Sequence, residues 1–237
     1  MPRPSPLHGL LVGLAATAGW LDALSFSSLG SVFTSFQSGN FIFLGLAADQ
    51  GDADQLIGAA VSLAAFLTGT AIGAYVVGRA EVEQGDWRKL VPAFGLQCVV
   101  LVSFAIGWQA LGTPATDSAG RVALLALAAI AMGIQGAAVL ALRIPGVVTN
   151  AMTATLMLGG VLLGLHGRGG RAAESAAPVS GVLIVVLCAS YTLSAFAVGA
   201  IGNPTVTSAV PAVALTVALA GLGVRAAAPR RPLAGRS

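Results

Sequence analysis

The chain has 237 residues, of which 56% are hydrophobic and 9% are charged, and its formal net charge is +3. Because a soluble domain carries about 25% charged residues, this composition excludes a soluble globular protein and predicts an all-helical bundle embedded in a lipid bilayer. The basic residues are confined to loops and tails, so we expect the bilayer, and no nucleic acid, as a partner.

Six apolar stretches are long enough to cross the hydrocarbon region, which takes about 20 helical residues. They cover residues 8–29, 55–79, 90–112, 120–142, 178–200 and 205–224. The first resembles a signal peptide, with Arg3 before it and Ala16-Thr17-Ala18 as a cleavage site, but its apolar run continues past Leu24. We therefore interpret it as a retained first helix.

Two further apolar stretches, 31–48 and 147–165, are interrupted by polar residues. Each could cross the membrane fully, or enter and leave on the same side. If both re-enter and the N-terminus is cytoplasmic, only Arg121 among the twelve basic residues lies outside, together with Asp49, Asp52, Asp54 and Asp117. If both cross fully, Arg79, Arg88, Lys89 and Arg143 also move outside. The positive-inside rule favours six spans with both termini cytoplasmic, although seven spans stay open.

The two halves of the chain follow the same order of features, which predicts an internal repeat. Asp22 and Gln135 precede the small polar triplets Ser38-Gly39-Asn40 and Thr153-Ala154-Thr155 by 16 and 18 residues. We assign residues 1–112 and 113–225 to the two repeats and 226–237 to a disordered basic cytoplasmic tail. Three spans per half would invert the second repeat relative to the first, a common plan in transporters, whereas four would leave the repeats parallel.

Asp22 is the strongest candidate functional residue, because it lies well inside the first apolar stretch. A carboxylate at the centre of a bilayer costs about 3 kcal/mol on insertion scales, and such residues line a cavity, pair with a partner or relay protons. The alternative is a residue nearer the interface that caps a helix break around Ser25–Gly30.

The second candidate is the polar run Gln37-Ser38-Gly39-Asn40. Gly39 permits a tight turn, and Ser38 or Asn40 could cap a short helix over 41–48. A helix start at membrane depth would suit an anion or a polar substrate oxygen, whereas in an external loop it would be an ordinary cap.

In the second half, the matching candidates are Gln135, Thr149, Asn150, Thr153 and Thr155. A lone Gln in a span more often makes a structural interhelical hydrogen bond, and Thr hydroxyls often bond their own helix.

Two small-residue pairs, Gly69 with Gly73 and Gly160 with Gly164, indicate close helix packing or a homodimer contact. No metalloprotease, P-loop, hydrolase or dinucleotide-binding motif is present, so we expect no enzyme, metal or cofactor.

The motifs together resemble the bacterial DUF1275 (YoaK-like) membrane proteins. The matching segments are Gly19-Trp20-Leu21-Asp22-Ala23, Val32-Phe33, Ser38-Gly39-Asn40 and Met132-Gly133-Ile134-Gln135. Ser38 stands where the family has Thr, and Ala154 where it has Gly. The resemblance implies a multi-pass protein of the bacterial inner membrane and brings no established function.

From the residues, we expect a secondary transporter or permease for a small polar solute, with proton coupling through Asp22 as an extension of that hypothesis. The alternative is a non-transporting scaffold or accessory subunit of a larger membrane complex.

Overall fold

A computed structural model describes residues 6–78, 87–112, 119–142, 144, 149, 152–164 and 181–227. Every regular element in these ranges is helical. The elements are α1 (Pro6–Ser28), α2 (Gln37–Gln50), α3 (Ala53–Val77), a 3-10 turn (Trp87–Leu90), α4 (Val91–Leu111), α5 (Ala119–Ala141), α6 (Met152–Gly164), α7 (Gly181–Ile201) and α8 (Pro204–Ala227).

Long apolar helices coincide with the predicted spans. Five of the described helices, α1, α3, α4, α5 and α7, are long and apolar enough to cross a membrane. The sixth predicted span corresponds to α8, which has 24 residues and contains Pro211. The polytopic helical bundle expected from the composition is therefore confirmed. The predicted tail lies almost entirely in residues 228–237, outside the described residues.

Contacts at two depths give the relative direction of the helices. Arg121, in the first turn of α5, donates from Nη1 to the carbonyl oxygen of Leu29 at 3.2 Å, just past the end of α1. Gln135, farther along α5, donates to the carbonyl oxygen of Leu14, farther back in α1, at 3.0 Å. Helices α1 and α5 are therefore antiparallel. Asp54 lies in the first turn of α3, and its Oδ1 is 3.9 Å from Nη2 of Arg121. Helix α3 therefore starts at the same end of the bundle as α5.

The remaining long helices alternate in direction. Gln109, near the end of α4, donates to the carbonyl oxygen of Thr205 at the start of α8, so these two helices are antiparallel. Ser190 of α7 donates to the carbonyl oxygen of Val12, whereas Gly19 packs against Ser194, so α7 runs parallel to α1. Trp20, in the second half of α1, donates to the carbonyl oxygen of Thr207 at the start of α8 at 2.8 Å, so α8 is antiparallel to α1. In chain order α1, α3, α4, α5, α7 and α8 thus run up, down, up, down, up and down. The start of α1 and the end of α8 lie at the same end of the bundle.

The main helix contacts come in matched pairs. α3 packs on α5 as α7 packs on α1, and α4 packs on α5 as α8 packs on α1. In the same way, the α2–α3 contact matches the α6–α7 contact, and the α3–α4 contact matches the α7–α8 contact. The contacts α1–α5 and α4–α8 each join two corresponding helices. The contact pattern is thus unchanged when the first four helices are swapped for the last four. Sequence duplication itself stays a prediction.

Helix α2 starts inside the bundle and ends where α1 ended. Leu29 and Asp54 both contact Arg121, so the end of α1 and the start of α3 lie at one level. Ser62, about 12 Å farther along α3 by helix rise, contacts Asn40 in the first turn of α2. The last residue of α2 is Gln50, and α3 starts at Ala53. The stretch 31–48 therefore re-enters on its own side of the bundle.

Glycines on α3 and α5 let these two helices approach closely. A Cβ on Gly69 would collide with the backbone of Ile130, and one on Gly133 would collide with the backbone of Phe66. Gly73 packs against Ile134 in the same way. The Gly69–Gly73 face is thus an internal packing face, the first of the two alternatives that its sequence allowed.

Candidate functional site

The chain reverses direction immediately after α1. Gly30 and Ser31 have positive φ angles of 97° and 55°. The Ser25 hydroxyl donates to the carbonyl oxygen of Val32 at 2.9 Å and holds the returning segment against the last turn of α1. A Cβ at residue 30 would lie against the guanidinium group of Arg121, and the positive backbone angle favours glycine there. We call residues 29–36, between α1 and α2, the return segment.

Asp22 anchors the return segment from within α1. Its side chain is 2% exposed. Carboxylate oxygen Oδ1 accepts from the Thr34 N–H at 2.8 Å, the Thr34 hydroxyl at 3.1 Å and the Ser35 N–H at 2.7 Å. Oxygen Oδ2 accepts from the Ser35 hydroxyl at 2.5 Å and from the Tyr191 hydroxyl of α7 at 2.6 Å. One carboxylate thus joins α1, the return segment and α7.

These five donors are all uncharged, so the buried carboxylate is stabilised by dipoles rather than by an ion pair. Hydrogen bonds to an ionised acceptor are stronger than those between neutral groups. They offset the cost of placing a carboxylate at this depth. Asp22 combines features of both interpretations that the sequence allowed. Its side chain is deeply buried, and it also holds the segment that follows the end of α1.

Asn40 holds the other side of the return segment. Its Oδ1 accepts from the Phe33 N–H at 2.9 Å, and its Nδ2 donates to the Phe33 carbonyl oxygen at 2.7 Å. The Ser62 hydroxyl of α3 also donates to that carbonyl oxygen, at 2.6 Å. Gln37 donates from Nε2 to the Thr34 carbonyl oxygen at 2.8 Å. Side chains of α2 and α3 thereby satisfy backbone groups that no regular structure would pair.

The helix after the return segment begins earlier than its sequence predicted. Helix α2 starts at Gln37, its N-cap is Phe36, and no side chain caps it. Ser38, Gly39 and Asn40 therefore form the first helical turn rather than a turn before a helix at 41. The rings of Phe33 and Phe36 pack where a Cβ on Gly39 would lie, so this glycine provides space for aromatic rings. Ser38 is exposed and does not belong to the polar cluster around Asn40.

A second polar cluster lies on α5 and corresponds to the Asp22 site. Gln135 is fully buried, and its Nε2 donates to the Leu14 carbonyl oxygen and to the Thr149 hydroxyl, the latter at 3.2 Å. Its Oε1 accepts from Nε2 of Gln97, on α4, at 2.8 Å. Thr149 follows Gln135 by 14 residues, much as Thr34 follows Asp22 by 12. The predicted interhelical hydrogen bond of Gln135 is present.

The other candidates of the second half divide by burial. Thr155 is fully buried and Thr153 is exposed, as Asn40 and Ser38 are in the first half. Asn150 lies outside the described residues. The structure thus groups Gln135 with Thr149, and it leaves Thr153, like Ser38, away from the buried polar clusters.

Several residues of these clusters were not among the candidates predicted from the sequence. Tyr191 and Gln97 are single polar side chains inside apolar helices, and Ser62 is a small residue in a long span. A scan for buried-face polar residues within each span would have found Gln97, but its partner lies 38 residues away. Within the described part of the chain, no three His, Cys, Asp or Glu side chains are placed to hold a metal ion.

Comparison with known proteins agrees with this architecture. Residues 10–228 match the family described as Protein of unknown function (DUF1275). The UPF0700 transmembrane protein YoaK of Bacillus subtilis (strain 168) is 33% identical over 149 residues, which cover 62% of this chain and 63% of that protein. No solved structure matches. This multi-pass membrane protein therefore belongs to the DUF1275 family.

Proposed function

We propose that the protein is a small secondary transporter for a polar solute that works by alternating access. The observation that carries the proposal is the antiparallel, pairwise-exchanging arrangement of helices α1–α4 and α5–α8. Inverted halves with an interrupted segment near mid-depth are a recurring plan of secondary transporters. A protein built this way can open to either side by rocking one half against the other.

Asp22 is placed to couple such a movement to a proton. Its Oδ2 accepts from two hydroxyl groups, those of Ser35 and Tyr191. A proton bound at Oδ2 would make that oxygen a donor, so one hydroxyl would have to rotate and accept instead. Protonation would thereby weaken the link between α1 and α7, the helices that meet across the two halves. Proton coupling is the mechanism that this geometry favours.

The charge distribution supports a cytoplasmic location for both termini, in a bacterial inner membrane. Asp54 and Arg121 lie together at the end of the bundle where α1 ends. The positive-inside rule assigns that end to the outside, because Arg88 and Lys89, just before α4, and Arg225, near the end of α8, lie at the opposite end.

A flux measurement tests the proposal. Purified protein would be reconstituted in liposomes that contain the pH indicator pyranine, and neutral polar solutes such as amino acids, polyols and sugars would be added singly. We expect one class to drive proton influx. Asp22→Asn should abolish the coupled influx, whereas Asp49→Asn, a matched change at an exposed position, should not. Unchanged influx in Asp22→Asn would refute proton coupling through Asp22.

The scaffold alternative has less support from the geometry. The Gly69–Gly73 face, a candidate interaction surface, packs on α5 of the same chain. Gly160 has open space beside it, but that space alone does not indicate a partner. Stable co-purification of another membrane protein, without proton flux for any solute, would favour a scaffold over a transporter.

A further inference from the structure

The two polar clusters differ in how completely their acceptors are filled. Both oxygens of Asp22 are occupied, with three donors on Oδ1 and two on Oδ2. The corresponding cluster on α5 is made of the neutral amides of Gln135 and Gln97, and one of its acceptors is empty. The Gln97 Oε1 is buried and accepts no hydrogen bond from the described residues.

The orientation of both amides follows from their neighbours. The Leu14 carbonyl oxygen can only accept, so Gln135 must direct Nε2 toward it. This leaves the Oε1 of Gln135 facing Gln97, which must direct its own Nε2 there. The Gln97 Oε1 therefore points away from the pair. Rotating either amide by half a turn would place two oxygens, or two N–H groups, within contact distance of each other.

An empty acceptor at this position is costly. Gln97 is 0% exposed, on a helix that is apolar along its length. A buried polar group without a partner destabilises the folded state, and the bilayer interior offers no water to satisfy it. A donor that comes from outside the chain would remove this cost.

We propose that the Gln97 Oε1, on the amide whose Nε2 donates to Gln135, is a binding position for a hydrogen-bond donor. Its occupant is the N–H or O–H group of a small neutral or cationic molecule, with water as the smallest case. An anion fits poorly, because both hydrogens of Gln135 Nε2 are already engaged with Leu14 and Thr149. For a solute, this inference rests on the transporter proposed above and places its donor group beside α4 and α5 rather than at Asp22.

Substituted-cysteine labelling tests the position without requiring transport. In full-length protein with Cys98 and Cys188 replaced by Ser, Gln97→Cys would be compared with Leu101→Cys. Leu101 is also 0% exposed and lies one turn along the same helix, so it is the matched control. The reagent is the small cation 2-aminoethyl methanethiosulfonate. Thr149→Cys, which replaces the hydroxyl that bonds Gln135 in the same cluster, is the second labelling position and also serves should Gln97→Cys not give a monodisperse protein.

We expect position 97 to react at least about tenfold faster than position 101, because thiol modification follows access to a polar environment. Equal, slow labelling at 97 and 101 would overturn the proposal, even if proton flux were observed. In Thr149→Cys, which keeps the Gln97 acceptor, slower labelling with methylammonium or glycerol, and not with acetate, would support a solute donor. No effect of any of the three would assign the position to water and overturn the solute. Protection by acetate alone would overturn the donor chemistry.

Discussion

Replacing Tyr191 by Phe tests whether the Asp22 carboxylate joins the two halves of the bundle. The change removes one hydroxyl, which donates to Oδ2 of Asp22 at 2.6 Å, and leaves the ring in place. A hydrogen bond to a charged group contributes about 1.5–3 kcal/mol in water-soluble proteins. Interhelical hydrogen bonds in membrane proteins average about 0.6 kcal/mol and reach about 1.7 kcal/mol. Because this bond is short and ionic, we expect a loss of about 1–1.5 kcal/mol in the free energy of unfolding.

The loss would be measured by reversible unfolding in mixed SDS and dodecyl maltoside micelles, followed by circular dichroism. Tyr75→Phe is the matched control, because Tyr75 is 88% exposed on α3. A double-mutant cycle with Asp22→Asn isolates the pairwise energy. If Tyr191→Phe and Tyr75→Phe had equal stability, or if the cycle gave no coupling, the link between α1 and α7 through Asp22 would be wrong.

Three further substitutions test the return segment and the contact between α3 and α5. Gly30→Ala should destabilise the protein by about 1 kcal/mol or more, because φ is 97° there; a neutral result in the same unfolding assay would contradict the described turn. Gly69→Ala should be more harmful than Gly160→Ala, since only the first would press a methyl group into a neighbouring backbone; equal thermal stability would argue against the α3–α5 contact. Asn40→Ala should speed amide hydrogen exchange in residues 29–36, measured by mass spectrometry, because both backbone groups of Phe33 lose a partner; unchanged exchange would show that the segment is held by other contacts.

The long helices could be predicted from the sequence because each is a continuous apolar run. The predicted span 55–79 corresponds to Ala53–Val77, and 90–112 corresponds to Val91–Leu111. A helix that crosses the bilayer needs apolar side chains along its whole length, so it can be recognised without knowing which helices pack against it. The charge distribution favoured re-entry of the stretch 31–48, and the level of Asp54 relative to Leu29 agrees with it.

The start of α2 was mispredicted because tertiary contacts decide it. Gly39 was interpreted as a turn residue on local preference. In the structure it provides room for aromatic rings, while Asn40 bonds the backbone of Phe33. Local propensity carries no information on either contact.

The partners of the candidate site could not be inferred from spacing. Tyr191 lies 169 residues after Asp22, and the two meet only because α7 packs on α1. Gln97 is a lone amide in an apolar helix, which sequence alone does not distinguish from a structural hydrogen bond. The partners of Tyr191 and Gln97 follow only from the tertiary structure, in which Tyr191 meets Asp22 and Gln97 meets Gln135.

The side of the membrane on which each loop lies tests the inverted arrangement most directly. Single cysteines at Asp52, Trp87 and Gly169, in a chain without Cys98 and Cys188, would be labelled in intact cells with a membrane-impermeant maleimide. Re-entry of both interrupted stretches predicts labelling of position 52 from outside, and of positions 87 and 169 only after the cells are opened. Labelling of position 87 from outside, with 52 and 169 protected, would mean that both stretches cross fully, and the two halves would then be parallel.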